Sequence, residues 1–184
     1  MESPWVTDFK ENTLYRIDES TRMVEIAFAK AASFTHPKPV EDLIWKRPNP
    51  TSNSIGNLIL HLCGNMTQYV ISSLGEQEDT RDRDVEFETS EGFTAFQLLE
   101  KLKETVTSVK ETIQKATEAQ LLKKRNVQGF YFSGMGCVIH AVEHYSYHTG
   151  QIAFWVKQVV NRPLGFYDGQ DLNVKNECGG TSDE

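Results

Sequence analysis

The sequence has few of the features that mark secreted or membrane proteins. Its 184 residues include three cysteines, an odd number without a C-x-x-C pair, which argues against a disulfide framework and favours a reducing compartment. No run approaches the roughly 18–20 continuous apolar residues of a membrane span. The N-terminus lacks the basic start and apolar core of a signal peptide. We therefore expect a cytoplasmic protein with no membrane partner.

Clustered positive charge is also scarce. The formal net charge is −7, and the densest basic run, residues 123–125, is short and is interpreted as a solvated turn. Because nucleic-acid affinity depends on clustered Lys and Arg, we expect no nucleic-acid partner. With 39% hydrophobic and 24% charged residues, the composition is that of an ordinary globular protein. It predicts one domain over residues 1–175 and a disordered tail over 176–184.

Four segments carry apolar residues at the three- and four-residue steps of amphipathic helices. They span about residues 7–33, 54–74, 92–117 and 133–160. The third has the clearest seam, formed by Leu99, Leu102, Val106, Val109, Ile113 and Ala116. Four long helices in one small domain predict an all-α four-helix bundle.

The connections refine this prediction. Residues 37–50 contain four prolines and cannot be helical throughout. Residues 76–91 are heavily charged and are interpreted as a long exposed crossover. Residues 121–132 are compatible with a short strand or hairpin.

Three histidines lie four residues apart in the last helix. Residues four apart share one face of a helix, so neighbouring imidazoles can converge on one cation. Helical phase places His148 inside the apolar stripe and His144 at its edge, whereas His140 turns outwards. The inward pair is therefore His144 and His148, and His140 is assigned to the rim of the site.

Two imidazoles rarely suffice for a stable site, so a third ligand is expected from a facing helix. His61 lies beside the apolar stripe of the second helix. Three imidazoles favour zinc or nickel, with iron, manganese and copper as alternatives, and they leave a coordination position open. On the residues alone, three ordinary core histidines without a metal are an equally good interpretation. His36, in the proline-rich connection, is given a structural role.

Other reactive side chains fit this site less well. Cys63 is two residues from His61, points away from it and is interpreted as an inert buried thiol. Cys137 lies too far along the helix from His144 to share a metal. Glu143 is out of phase and solvated. Gln151, three residues after His148, is placed to orient an imidazole.

The motif HYSYHTGQI at residues 144–152, with the lone His61 upstream, resembles the DinB-like superfamily. Residues 53–65 and 81–87 are similar to an uncharacterised branch of it. The resemblance implies a four-helix bundle with a long crossover, frequently a homodimer, and one divalent metal on His61, His144 and His148. Characterised members include metal-dependent transferases that use thiols such as mycothiol or bacillithiol, and a maleylpyruvate isomerase.

Two functional classes follow from this resemblance. The first is a metal-dependent enzyme, a thiol-dependent S-transferase or a hydrolase-like enzyme acting on an electrophilic small molecule. The second is a non-catalytic metal-binding stress-response protein in which the metal stabilises the bundle or a dimer. The catalytic residues and the substrate are left unassigned.

Overall fold

The computed structural model describes residues 2–34 and 40–176. Its elements are α1 (Pro4–Phe34), α2 (Val40–Ile44), α3 (Ile55–Met66), α4 (Arg83–Glu88), α5 (Ala95–Lys115), α6 (Glu118–Leu122), β1 (Lys124–Val127), β2 (Phe130–Ser133) and α7 (Gly134–Val160). Residues 177–184 of the predicted tail, His36 and two of the four prolines lie outside the described residues. No described helix is long and apolar enough to cross a membrane.

The four long helices form the predicted bundle, in which α1 packs mainly on α7 and α3 mainly on α5. The seam predicted for the third long helix, which is α5, is correct except at its first residue. Leu98 is fully buried, whereas Leu99 is only partly buried against the core. The all-α bundle prediction is confirmed.

The second predicted helix is not a uniform α-helix. α3 ends at Met66 and continues as a π-helical segment, Thr67–Leu74. The wider turn is visible at its end, where the amide of Gly75 donates to the Val70 carbonyl, five residues back, at 2.9 Å. The backbone therefore changes its period six residues after His61, in a segment that still packs against α7 and α5.

The helix starts are set by side-chain caps. Ser54 and Asn57, Thr94 and Gln97, and Thr117 and Gln120 form capping boxes at α3, α5 and α6. Ser133 caps α7 by accepting from the amide of Gly136 at 3.0 Å. These caps fix the register of α3 and α7, which carry the histidines.

The connections differ from the predictions in three places. The proline-rich connection contains the short helix α2, which was not predicted. Residues 123–125 are not a solvated turn, since Lys124 and Arg125 belong to β1, which pairs with β2 in an antiparallel hairpin. The crossover contains α4, and its Glu86 is buried, so the prediction of an exposed crossover is wrong there. Glu86 is buried because its carboxylate binds Arg81 of the same crossover and His61 of α3.

Candidate metal centre

His61 lies on the most buried helix of the bundle. The α3 sequence is apolar on almost every face, and of its twelve residues only Gly64 is not fully buried. Polar side chains recur along it at Asn57, His61 and Asn65, four residues apart and therefore on one face. Asn57 is used structurally, because its amide donates to the carbonyls of Glu86 and Thr89 at 3.0 and 2.6 Å. This anchors the crossover to the start of α3.

The other two histidines lie one turn apart on α7, opposite this face. His148 is buried and His144 is half-buried. The Nε2 atoms of His61 and His144 are 2.8 Å apart. The ring centroid of His148 lies 5.2 Å from that of His61 and 4.5 Å from that of His144. One ring nitrogen from each histidine can be chosen so that all three lie within 4.8 Å of one another. The structure thus brings together the three residues that the sequence singled out.

A carboxylate fixes the orientation of His61. Glu86 Oε2 lies 2.8 Å from His61 Nδ1, so in the neutral imidazole Nδ1 carries the proton and donates it. The lone pair is then on Nε2, the atom that faces His144. Metal-ligating histidines typically make this hydrogen bond with their second nitrogen.

Arg81 holds Glu86 in place with two hydrogen bonds. Arg81 Nε lies 2.7 Å from Glu86 Oε1, and Nη2 lies 2.8 Å from Oε2. The side chains of Arg81 and Glu86 are only 3% and 9% exposed. Gly64 leaves the space for this pair: a Cβ there would collide with the Glu86 carboxylate and lie 2.9 Å from Arg81 Nε. Two separate parts of the sequence, the crossover and α3, therefore build one buried ion pair behind His61.

Gln151 plays the corresponding part for His148. Its Oε1 lies 2.7 Å from His148 Nδ1, which therefore donates in the neutral ring. Gln151 is on the same helix, three residues further on, so the contact follows from helical spacing. Two of the three imidazoles thus have Nδ1 engaged and Nε2 free of that bond.

The surroundings of His144 and His148 favour their neutral forms. Burial, with the neighbouring His148 and His61, lowers the pKa of His144 to about 3. Burial also lowers the pKa of His148, against the opposing effect of the Gln151 hydrogen bond. For Glu86, burial alone would raise the pKa, but the hydrogen bonds from Arg81 and His61 outweigh it and lower the pKa. A neutral imidazole is the form of histidine that binds a metal.

His140 does not join the cluster. Its Nε2 lies 3.3 Å from the amide nitrogen of Asn65, and its ring stacks on Tyr69 with centroids 3.9 Å apart. The Asn65 Oδ1 atom is buried without a hydrogen-bond partner in the described part of the chain. His140 therefore occupies the flanking position expected for it.

The remaining candidates also stay apart from the cluster. Cys63 is buried, and burial raises its pKa to about 11, so it is an unreactive thiol. Cys137 is buried near Ser73 Oγ, 3.7 Å away. Glu143 is exposed, as expected.

Sequence reasoning missed Glu86 and Arg81. Both lie in a segment whose dense charge suggested solvation, and neither is near His61 in sequence. The one feature of the sequence that could have indicated this ion pair is Gly64. A glycine inside a helix costs about 1 kcal/mol relative to alanine and often marks a close approach of another group.

The fold is that of DinB-type proteins. A DinB family member from Shewanella denitrificans superimposes with a TM-score of 0.60 and 16% identity, covering 94% of this chain and 98% of that chain. A DinB-like protein from Bacillus subtilis has a TM-score of 0.54 and 17% identity, covering 79% of this chain and 91% of that one. At these identities the similarity establishes the fold, and it confirms the DinB-like resemblance.

A family model that matches most of the sequence identifies the family of this chain. The chain belongs to the family described as a protein of unknown function, DUF1572, whose model matches residues 16–165. No curated protein matches the chain.

Proposed function

We propose that this protein holds one divalent metal ion on the Nε2 atoms of His61, His144 and His148. We propose further that it is an enzyme that directs a small thiol or water at an electrophilic substrate. The observation that carries the proposal is the orientation of the rings. Glu86 and Gln151 engage the Nδ1 atoms of His61 and His148, which leaves both Nε2 atoms free of those bonds, and the His61 Nε2 atom lies 2.8 Å from His144 Nε2.

The donor set fits a divalent cation of the zinc or nickel type. Metal–nitrogen distances of about 2.0–2.1 Å in a tetrahedral site place ligand nitrogens roughly 3.3 Å apart. The His61 and His144 Nε2 atoms, at 2.8 Å, need to separate by about half an ångström. The three ring nitrogens are spread over up to 4.8 Å, so the widest pair has to close by up to about 1.5 Å as the rings turn towards one cation. Zinc and nickel remain the favoured metals, with iron, manganese and copper as alternatives.

Three protein ligands leave at least one coordination position free. A divalent cation with a free position lowers the pKa of a bound thiol or water. The protein's own part is to hold the three imidazoles in place and to keep His144 and His148 neutral. The depressed pKa of His144 and the Arg81–Glu86 pair behind His61 support that part. No described residue is assigned as a general base.

A non-catalytic role is the second candidate, and one observation favours it. The cluster joins α3, α7 and, through Glu86, the crossover. A cation there would cross-link three separate parts of the chain and stabilise the folded state by linkage. Metal removal would then lower the melting temperature without abolishing any reaction.

The test begins with the metal content of untagged protein, measured by plasma mass spectrometry. We expect close to one ion per chain in the wild type and in His140→Ala, which keeps all three proposed ligands. A metal-free wild type, after purification without chelators, would contradict the metal proposal itself.

Catalysis is tested separately, on metal-loaded protein. Bacillithiol-like and mycothiol-like thiols are offered with a panel of electrophiles, and we expect thiol consumption that disappears after chelation. A loaded protein that is inert but melts at a lower temperature once chelated would favour the second candidate. The expected cytoplasmic homodimer is part of the proposal, and sedimentation equilibrium tests its oligomeric state.

A further inference from the structure

Two arginines without an ionic partner meet at Phe87, on the crossover beside the candidate metal centre. The guanidinium carbon of Arg83 lies 4.7 Å from the centroid of the Phe87 ring. Arg47 Nη2 donates to the Phe87 carbonyl at 2.6 Å and to Asn57 Oδ1 at 3.3 Å. Within the described part of the chain, neither guanidinium forms an ion pair. The formal net charge is −7, so this does not come from a shortage of carboxylates.

Phe87 links these cations to the histidine cluster. Arg83, Glu86 and Phe87 lie three and four residues apart on α4 and therefore share one face of it. On that face Glu86 binds His61 Nδ1, and the Phe87 ring contacts the His61 ring with centroids 4.8 Å apart. Because Phe87 contacts both groups, the Arg83 guanidinium lies within the length of a small molecule from His61.

The two arginines differ from Arg81 in what they have left to bind. The Arg81 side chain is only 3% exposed and is engaged by Glu86, whereas Arg47 and Arg83 are exposed. Asp82, next to Arg83, is used as the N-cap of α4. A guanidinium carries five N–H donors, and stacking on a ring leaves its edge free to bind an oxyanion with two hydrogen bonds.

We propose that Arg83 and Arg47 bind an oxyanion group, a carboxylate or a phosphate, on the small molecule that reaches the metal centre. This inference rests on the proposed function, because the open metal position is what brings the molecule to the site. The reacting end of the molecule faces the three histidines, and its anionic end lies against the arginines at Phe87. The thiol or its electrophilic partner is therefore an anion.

The test uses cobalt-loaded protein, in which a bound thiolate gives a charge-transfer band in the near ultraviolet. The probes are 6-mercaptohexanoate, 6-mercaptohexanol and 6-mercaptohexylamine, which share the thiol and the chain but end in an anion, a neutral group and a cation. We expect the wild type to bind the hexanoate roughly three- to tenfold more tightly than the alcohol, and the amine most weakly. The long chain disfavours chelation of the metal by the carboxylate itself.

Three variants assign the preference to the arginines. Arg83→Gln should weaken 6-mercaptohexanoate roughly two- to fivefold and leave 6-mercaptohexanol unchanged, because only the anion uses the guanidinium. Arg47→Gln should act in the same direction. Arg162→Gln is the control, since Arg162 is an exposed arginine beyond the end of α7 and its loss changes the net charge equally. It should keep the wild-type preference.

A metal-free arm separates this inference from the metal proposal. Hexanoate and inorganic phosphate are titrated into the metal-free protein, and the arginine Nε signals are followed by carbon-detected nitrogen-15 NMR. We expect the Arg83 signal to move saturably with at least one of the two anions, and the Arg162 signal to stay in place. Failure to take up cobalt would contradict the metal proposal, and this arm would then decide on the anion site alone.

Three results would overturn the inference. The first is an Arg83 signal that neither anion moves saturably. The second is equal affinity of the cobalt-loaded wild type for the three thiols. The third is a preference for 6-mercaptohexanoate that persists in both Arg83→Gln and Arg47→Gln, because the carboxylate would then be binding the metal and not the arginines.

Discussion

The histidine row on α7 has two halves, and they differ in what holds each ring. His140 and His148 both lie one turn from His144, and both are at least partly buried. In the His140 half, the ring stacks on Tyr69 and its Nε2 faces the Asn65 amide. In the His148 half, Gln151 engages Nδ1 instead, which leaves Nε2 free of that hydrogen bond.

This difference shows that helical spacing alone does not decide how an imidazole is oriented. Spacing places imidazoles on one face, but a hydrogen bond to the second nitrogen decides which lone pair is presented. His61 repeats the pattern of His148, with Glu86 in the place of Gln151. Substitutions can test this difference between His140 and the other histidines, and they are given from the largest expected effect to the smallest.

The first prediction compares the loss of His148 with the loss of His140. His148→Ala should lower zinc affinity more than about a hundredfold, the upper end of what losing an outer hydrogen-bond partner costs. His140→Ala should leave the affinity within a fewfold of wild type, because its Nε2 faces Asn65. Competition with a chromophoric chelator measures both variants. Equal losses would mean that His140 is a ligand.

The second prediction concerns the carboxylate behind His61. Glu86→Gln should reduce zinc affinity about 10–100-fold, because the amide holds the His61 ring less firmly than the carboxylate does. It should also destabilise the metal-free protein, since Arg81 would be left as a buried charge without its ionic partner.

Glu88→Gln is the matched control for Glu86→Gln. Glu88 lies two residues along the same short helix and is exposed. We expect wild-type affinity and a change in stability within about 0.5 kcal/mol, as for most surface substitutions. The importance assigned to Glu86 would be wrong if the two variants behaved alike.

The third prediction displaces Glu86 without altering it. Gly64→Ala should destabilise the protein by about 1–3 kcal/mol, because the new methyl group collides with the Glu86 carboxylate. Gly150→Ala is the control, since among the described residues no atom outside its chain neighbours and the local helix backbone lies within 4 Å of its added Cβ. There the gain in helix propensity should stabilise by about 0.5–1 kcal/mol. Urea unfolding measures both, and a stabilised Gly64→Ala would contradict the close packing.

The sequence predicted the bundle and the inward pair for a common physical reason. Both depend on helical periodicity, which is local and is written at steps of three and four residues. Phase alone placed His144 and His148 inward and His140 at the flank, and the structure brings that pair to His61. That the three bind a metal stays a prediction.

The parts that the sequence did not predict are non-local. Arg81 and Glu86 look solvated when each charge is considered alone, and their burial depends on a gap at Gly64 on another helix. The π-helical segment after Met66 has no counterpart in the apolar pattern, which remains compatible with an α-helix throughout. Pairing across elements is what a single sequence specifies least directly.

The last prediction is a graded effect of pH on the metal-free protein. The pKa of His144 is lowered to about 3 in the folded state, whereas an unfolded histidine titrates near 6.5. The neutral ring therefore contributes stability that is fully present above about pH 6.5 and is lost as the pH falls towards 3. Because the pKa of Glu86 is lowered too, that carboxylate adds little to the change between pH 7 and 5.

We expect the melting temperature of chelator-treated wild type to fall between pH 7 and pH 5, and His144→Gln to fall less. His140→Gln controls for the loss of a flanking histidine. The pKa of His140 is also lowered, mainly by burial, so its variant should flatten the curve too. We expect the pH dependence of the melting temperature to flatten more in His144→Gln than in His140→Gln, because His148 and His61 also disfavour the protonated form of His144. Equal flattening of the two pH curves would mean that the protonated forms of His140 and His144 are disfavoured to the same extent. The two halves of the histidine row would then not differ in their electrostatics.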